Sequence, residues 1–147
     1  MTPADSPPHT KAAVLGIVRA ADLLRRRGTA LLAPYDLTIQ QFNVLRILRG
    51  ARPAGLCTLT IAERMLEQTP GITRLIDRLV AKKLVVRVRS EDDRRQVWCR
   101  ITPAGLQLLA RLDRPVGDLD RQLMGALPRS DQVHLARLLT AVHREPA

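Results

Sequence analysis

A chain of 147 residues with 46% hydrophobic and 26% charged residues fits one globular domain with its own core and excludes wholesale disorder. A formal charge of +10 and a pI near 11.3 favour a polyanionic partner, nucleic acid before an anionic membrane surface. Its only aromatic residues are Tyr35, Phe42 and Trp98, too few for the base-stacking surfaces of single-strand and RNA binders, which leaves duplex DNA.

Residues 1–8 read as a loose arm. From about Lys11 to Leu32, apolar residues at Val14, Ile17, Val18, Ala21, Leu24 and Leu31 keep helical spacing. Gly28 weakens the end of that helix and Ala33-Pro34-Tyr35 breaks it. Thr38-Ile39-Gln40-Gln41 has the form of a capping box, in which the Thr oxygen and the Gln side chain satisfy free backbone N–H groups. The second helix it opens buries Phe42, Leu45 and Leu48, and residues 50–55, with Pro53, form a loop. A short third helix over Thr58–Leu66 turns Leu59, Ala62 and Met65 inward, and Glu67-Gln68 makes a turn.

Thr69-Pro70 then reads as an N-cap followed by proline at the first helical position, where its missing N–H costs nothing. The helix runs to about Lys83, with Ile72, Leu75, Ile76 and Leu79 on one side and Thr73, Arg74, Asp77, Arg78 and Ala81 on the other. Such a helix packs on a core through one face and offers the other to DNA. The period next shortens to two: Val86 and Val88 alternate with Arg87 and Arg89, and Val97 and Cys99 with Trp98 and Arg100. The charged connector Ser90–Arg95 makes these strands a hairpin with arginines at its tip. Thr102-Pro103 starts a long helix striped by Leu106, Leu109, Leu112, Val116, Leu119, Leu123 and Leu127, which Pro115 should kink or split. A last helix from Arg129 or Ser130 carries Val133, Leu138 and Val142.

These elements predict a mainly α fold with a small antiparallel β-wing, a winged helix-turn-helix of six helices. One domain covers 1–147, with residues 36–102 as its DNA-binding part. The helices of 1–35 and 103–147 are too apolar for a small winged unit to cover. Burying them against a second copy gives an intertwined homodimer, whose two reading helices about one turn apart suit a pseudo-palindromic operator.

Catalysis and metal binding are not expected, nor is any cofactor. His9, His134 and His143 lie in segments without a partnered nucleophile or carboxylate, and there is no Gly-rich phosphate loop. Cys57 and Cys99 form no C-x-x-C motif and read as reduced thiols. No apolar run approaches the roughly 18 residues of a membrane span. The N-terminus MTPADSPPHTK lacks the basic and apolar regions of a signal peptide, so the cytoplasm is the expected location.

The segment from Thr38 to Leu109 resembles the MarR family of bacterial transcription regulators. The likeness rests on LTIQQFNVLRIL, LTIAERM, TPGITRLIDRLVAKKLVVR and the wing, where Asp93-x-Arg95 followed by Ile101-Thr102 matches the family pattern D-x-R-x5-L-T with Ile for Leu. The resemblance implies a triangular dimer that represses or activates a promoter and is released by a small aromatic or anionic effector. Carried over by position, Thr69 to Arg78 is the recognition helix. Thr69, Gly71, Thr73 and Arg74 face the major groove or its phosphates, with Arg78 as a further contact that Asp77 neutralises or aims. Arg94 and Arg95 reach the minor groove or its phosphates, Arg87 and Arg89 reach the backbone from the ribbon, and Asp93 orients the wing. Trp98 anchors the wing from beneath, and Arg19, Tyr35 and Phe42 are candidates for an effector pocket. Two alternatives stand beside this reading. One is a thiol-responsive regulator switched by Cys57, close to a helix start. The other is a winged fold that binds protein, against which the basic wing tip argues.

Overall fold

A computed structural model describes residues 7–93 and 95–144. It contains six α-helices and one small sheet. Helix α1 is Pro8–Leu32, α2 Ile39–Gly50, α3 Thr58–Arg64, α4 Ile72–Ala81, α5 Pro103–Met124 and α6 Arg129–His143. Strands β1 (Leu56–Cys57), β2 (Val85–Arg89) and β3 (Val97–Ile101) form an antiparallel sheet in the order β1-β3-β2. The expected two-stranded ribbon therefore gains a third strand, cut from what reads as the end of a loop. Leu56 opposes Cys99 and Cys57 opposes Trp98. A two-residue strand is too short to show alternation, so the sequence carries no sign of it.

The local signals explain most boundaries. The α2 capping box forms as expected: Gln41 N–H donates to Thr38 Oγ1 at 3.1 Å, and Thr38 N–H donates to Gln41 Oε1 at 3.1 Å. Gln41 is the buried polar residue of the core, and Lys82 Nζ donates to its Oε1 at 3.2 Å. Gly28 does not weaken α1. It removes the side chain where α1 crosses the start of α2, since a Cβ there would lie 3.3 Å from Ile39 Cδ1. Pro115 sits inside α5 without splitting it.

The core gathers Val44, Leu45 and Leu48 from α2, Ile61 from α3, Ile76 and Leu79 from α4, Val85 and Cys99 from the sheet, and Leu108, Leu109 and Leu112 from α5. Each fully buried Leu or Ile contributes about 1.5–3 kcal/mol. On α3 the inward residue is Ile61, whereas Leu59 is 69% exposed. The helix is seven residues long, is N-capped by Cys57 at the end of β1, and buries Ile61 alone. The terminal helices contribute little: α1 buries only Leu32 and α6 buries none of its residues. Both carry exposed apolar stripes, including Val14, Val18, Val133, Leu138 and Val142. No helix among the described residues is long and apolar enough to cross a membrane.

The junction of the wing with α5 closes the winged unit. Thr102 Oγ1 accepts from Gly105 N–H at 3.1 Å and donates to the Lys83 carbonyl at 2.8 Å, while Thr102 N–H donates to the Leu84 carbonyl at 3.0 Å. Gly105 allows this approach, because a Cβ there would meet the Leu84 carbonyl oxygen at 2.6 Å and Ile101 Cγ1 at 2.7 Å. Gly105→Ala is expected to destabilise the fold by about 1–3 kcal/mol through overpacking. Chemical denaturation at fixed protein concentration measures this, and an unchanged midpoint contradicts the close approach.

Candidate nucleic-acid interface

Helix α4 starts later than Thr69-Pro70 suggests. Its N-cap is Gly71, at φ 76°, and no side chain caps it. Thr69 Oγ1 instead donates to the Glu67 carbonyl at 3.0 Å, so Thr69 and Pro70 belong to the turn between α3 and α4. The left-handed conformation at Gly71 allows the chain to enter the helix there at no steric cost. The first N–H groups of α4 consequently face outward without a side-chain acceptor, a favourable seat for an anion beside a basic face. Asn43 Oδ1 accepts from Leu66 N–H at 2.9 Å and ties this turn to α2.

Gly71, Thr73, Arg74 and Arg78 are exposed and Thr69 is half-buried. Thr69, Gly71, Arg74 and Arg78 line one open groove together with Gln40 and Gln68. Asp77 neutralises neither of the neighbouring arginines. It pairs with Arg87 on β2. Strand parity explains the choice. Val85 is buried opposite Ile101, and Arg87 lies opposite Cys99 on the same inward face, next to α4. Val86 and Val88 take the other face, where Val88 opposes the half-buried Trp98. Arg74 and Arg78 therefore keep their charge, while Arg87 is engaged within the protein.

At the wing tip, Ser90 Oγ accepts from the N–H groups of Asp92 and Asp93, both at 3.3 Å. Asp93 Oδ1 accepts from Arg95 N–H at 3.0 Å, and the Asp93 carbonyl accepts from Gln96 N–H at 3.0 Å. Asp93 thus braces the turn that carries Arg95, whose side chain is exposed, as is that of Arg89 on β2. Arg94 lies outside the described residues.

A separate cleft of about 340 Å³ opens between α1, α2, α5 and the turn before α4. Leu24, Phe42, Val116, Leu119 and Leu123 make it apolar, and its charged lining is balanced, Arg25 and Arg46 against Glu67 and Asp120. The Arg46 guanidinium lies 5.6 Å from the Phe42 ring centroid, and Arg25 lies 3.4 Å from Glu67. Of the pocket candidates, Phe42 lines this cleft. Tyr35 sits elsewhere, under Arg111 at 5.9 Å, and Arg19 is exposed on α1 and not part of the lining. Reading the sequence misses Arg25, Arg46 and Glu67. The spacing of Arg46 four residues after Phe42 was a usable signal, whereas nothing local pairs Arg25 with Glu67. Gln40 lines both the cleft and the α4 groove.

A sequence model of the MarR family matches residues 35–96. Among characterised proteins, the multiple antibiotic resistance protein MarR of Salmonella typhimurium is 32% identical over 113 residues, covering 76% of this chain and 76% of that protein. Among solved structures, a MarR transcription factor from Planctomyces limnophilus has 37% identity and a TM-score of 0.71, covering 93% of this chain and 98% of that one. A mutant MarR from E. coli complexed with operator DNA has 28% identity and a TM-score of 0.80, covering 94% of this chain and 99% of its own.

The two thiols sit in contrasting settings. The Thr60 hydroxyl, 3.1 Å from Cys57 Sγ, and the Thr60 N–H hold the Cys57 pKa below the ordinary thiol value, whereas burial pushes that of Cys99 up. Thiolate, the reactive form, accordingly appears at lower pH on Cys57. Timed alkylation with mass spectrometry should modify Cys57 first at neutral pH and Cys99 only on unfolding, and Thr60→Val should slow the Cys57 reaction. Equal rates at both cysteines contradict this assignment.

Proposed function

The chain belongs to the MarR family of transcription regulators, and on that premise we propose that it binds a pseudo-palindromic DNA operator as a homodimer in the cytoplasm and acts as a repressor released by a small ligand. The observation that carries this reading is the division of charge on α4. Asp77 is turned aside to Arg87, so Arg74 and Arg78 meet a groove with their charge intact. Residues 36–102 form the DNA-binding part. Thr69, Gly71, Thr73, Arg74 and Arg78 serve the major groove, and Arg89, Arg94 and Arg95 serve the minor groove or its phosphates. Asp93 sets the wing, and Arg87 acts by holding the wing strand to α4. The relative solved with operator DNA supports the choice of duplex DNA as partner.

The apolar stripes of α1 and α6 support dimerisation through segments 1–35 and 103–147, since a lone protomer leaves Val133 and Val142 each 65% exposed. The cleft supports an aromatic effector over Phe42, with Arg46, which has no ion-pair partner among the described residues, as the cation for an acidic group, since Arg25 is taken by Glu67. Its wall includes Leu66 and Glu67, and the next residues of the same turn, 68–71, border the α4 groove. A ligand that binds more tightly when this turn is displaced shifts the dimer toward a state with misplaced reading helices, by no more than that difference in affinity. A thiol-responsive variant of this reading is favoured by one observation, the lowered pKa of Cys57.

Footprinting of the purified protein on the DNA flanking its own gene should show a protected inverted repeat that is lost on adding an aromatic acid. Arg95→Ala should weaken binding to all sequences and reduce the log–log salt slope by about one per protomer. Arg74→Ala should relax sequence preference. Failure to protect any duplex at low salt overturns the reading, and release by peroxide but by no aromatic acid favours the thiol.

A further inference from the structure

A second, shallower groove lies at the end of β3 remote from the wing tip, between the end of α2, the loop 51–55 and the start of α5. Pro53, Pro103 and the half-buried Leu106 give it an accessible apolar floor above the buried Leu48 and Ile101, and Arg49, Arg52 and Arg100 give it a cationic rim. No carboxylate lines it among the described residues. Arg49 is already answered, because its Nη1 lies 2.9 and 3.0 Å from the two carboxylate oxygens of Asp113. Arg52 and Arg100 have no ion-pair partner among the described residues, yet both are held in place. Arg52 Nε donates to the Arg49 carbonyl at 3.0 Å, and Arg100 Nε donates to the Ala54 carbonyl at 2.9 Å.

Gly55 makes the second anchor possible. It sits at φ 84°, and a Cβ there would meet Arg100 Cγ at 2.7 Å and the Cys99 carbonyl oxygen at 2.3 Å. A guanidinium that donates through Nε to a carbonyl keeps both of its outer NH2 groups for a ligand. Two such forks beside an apolar floor match a dianion carrying an organic body.

We propose that this groove binds a small phosphorylated metabolite, a phosphate monoester whose dianion bridges Arg52 and Arg100 and whose carbon skeleton lies over Pro53, Pro103 and Leu106. Phosphate fits the paired planar forks bidentately, and a single carboxylate fills only one of them. The site shares no lining residue with the cleft at Phe42 or the groove at α4. DNA bound at the wing is a poorer occupant. Arg100 lies on β3 five residues along the chain from Arg95 in the wing turn, at most about 17 Å if that stretch were fully extended and at the opposite end of the strand.

Calorimetric titration of the intact protein with phenyl phosphate at low ionic strength tests this, with inorganic phosphate and benzoate as comparisons. Phenyl phosphate should bind saturably and more tightly than either. Arg52→Gln should weaken it about tenfold, the loss of one charge-assisted contact, and Arg52→Gln with Arg100→Gln further still, while Arg129→Gln, an exposed arginine on α6 outside every groove described, leaves it unchanged. The exposed Arg52 keeps the test readable if replacing Arg100 disturbs the sheet. No saturable binding overturns the proposal, as does binding that is unchanged when both Arg52 and Arg100 are replaced. Weaker operator binding by the Arg52 variant, with no effect on phenyl phosphate, assigns the groove to DNA instead.

Discussion

In a pleated strand every second side chain falls on the same face, and in β2 this constraint decides which charges of α4 are free. Burial of Val85 against Ile101 fixes the register, so Arg87 must face α4 and finds Asp77 there. A slip of one residue would bury Val86, send Arg87 to the outer face and return Asp77 to its helical neighbours. The ion pair itself is half-exposed and contributes at most about 1 kcal/mol to stability. Its weight lies in what it leaves alone, the guanidinium groups of Arg74 and Arg78. It also joins β2 of the wing to α4.

Much of this was legible from the chain. Local signals with a short physical reach held: the Thr38–Gln41 capping box, the Thr102 cap, the change of period at the wing and the apolar stripe of α4. The misreadings occur where a tertiary contact outweighs a local preference. Thr69-Pro70 has the residues of a helix start, but the turn tied down by Asn43 delays α4 to Gly71. Gly28 looked like a weak point of a helix and proved to be a place of close packing. Leu59 was assigned inward by periodicity, but Ile61 occupies the core, since seven residues are too few for periodicity to fix which face of α3 is buried.

The site was legible in its cations and not in their pairing. Periodicity places Arg74, Asp77 and Arg78 on one helix face, which invites pairing among them, yet Asp77 takes a partner ten residues away in another element. The wing brace at Asp93 could be foreseen from the motif, whereas Arg25 with Glu67 joins residues 42 apart and leaves no trace in either segment. Cavities belong to the same class of feature. A cleft is the space left between α1, α2 and α5, and no residue pattern within one helix announces it.

The terminal helices carry one further implication. With a single buried residue on α1 and none on α6, each protomer invests nearly all of its internal packing in the winged unit. Cellular abundance then becomes a control variable in its own right. On the proposed dimer, a newly made or diluted chain displays its apolar stripes to chaperones and proteases, and wherever that dimer dissociates its occupancy of a two-fold site follows the square of protomer concentration, which sharpens the response to expression and turnover.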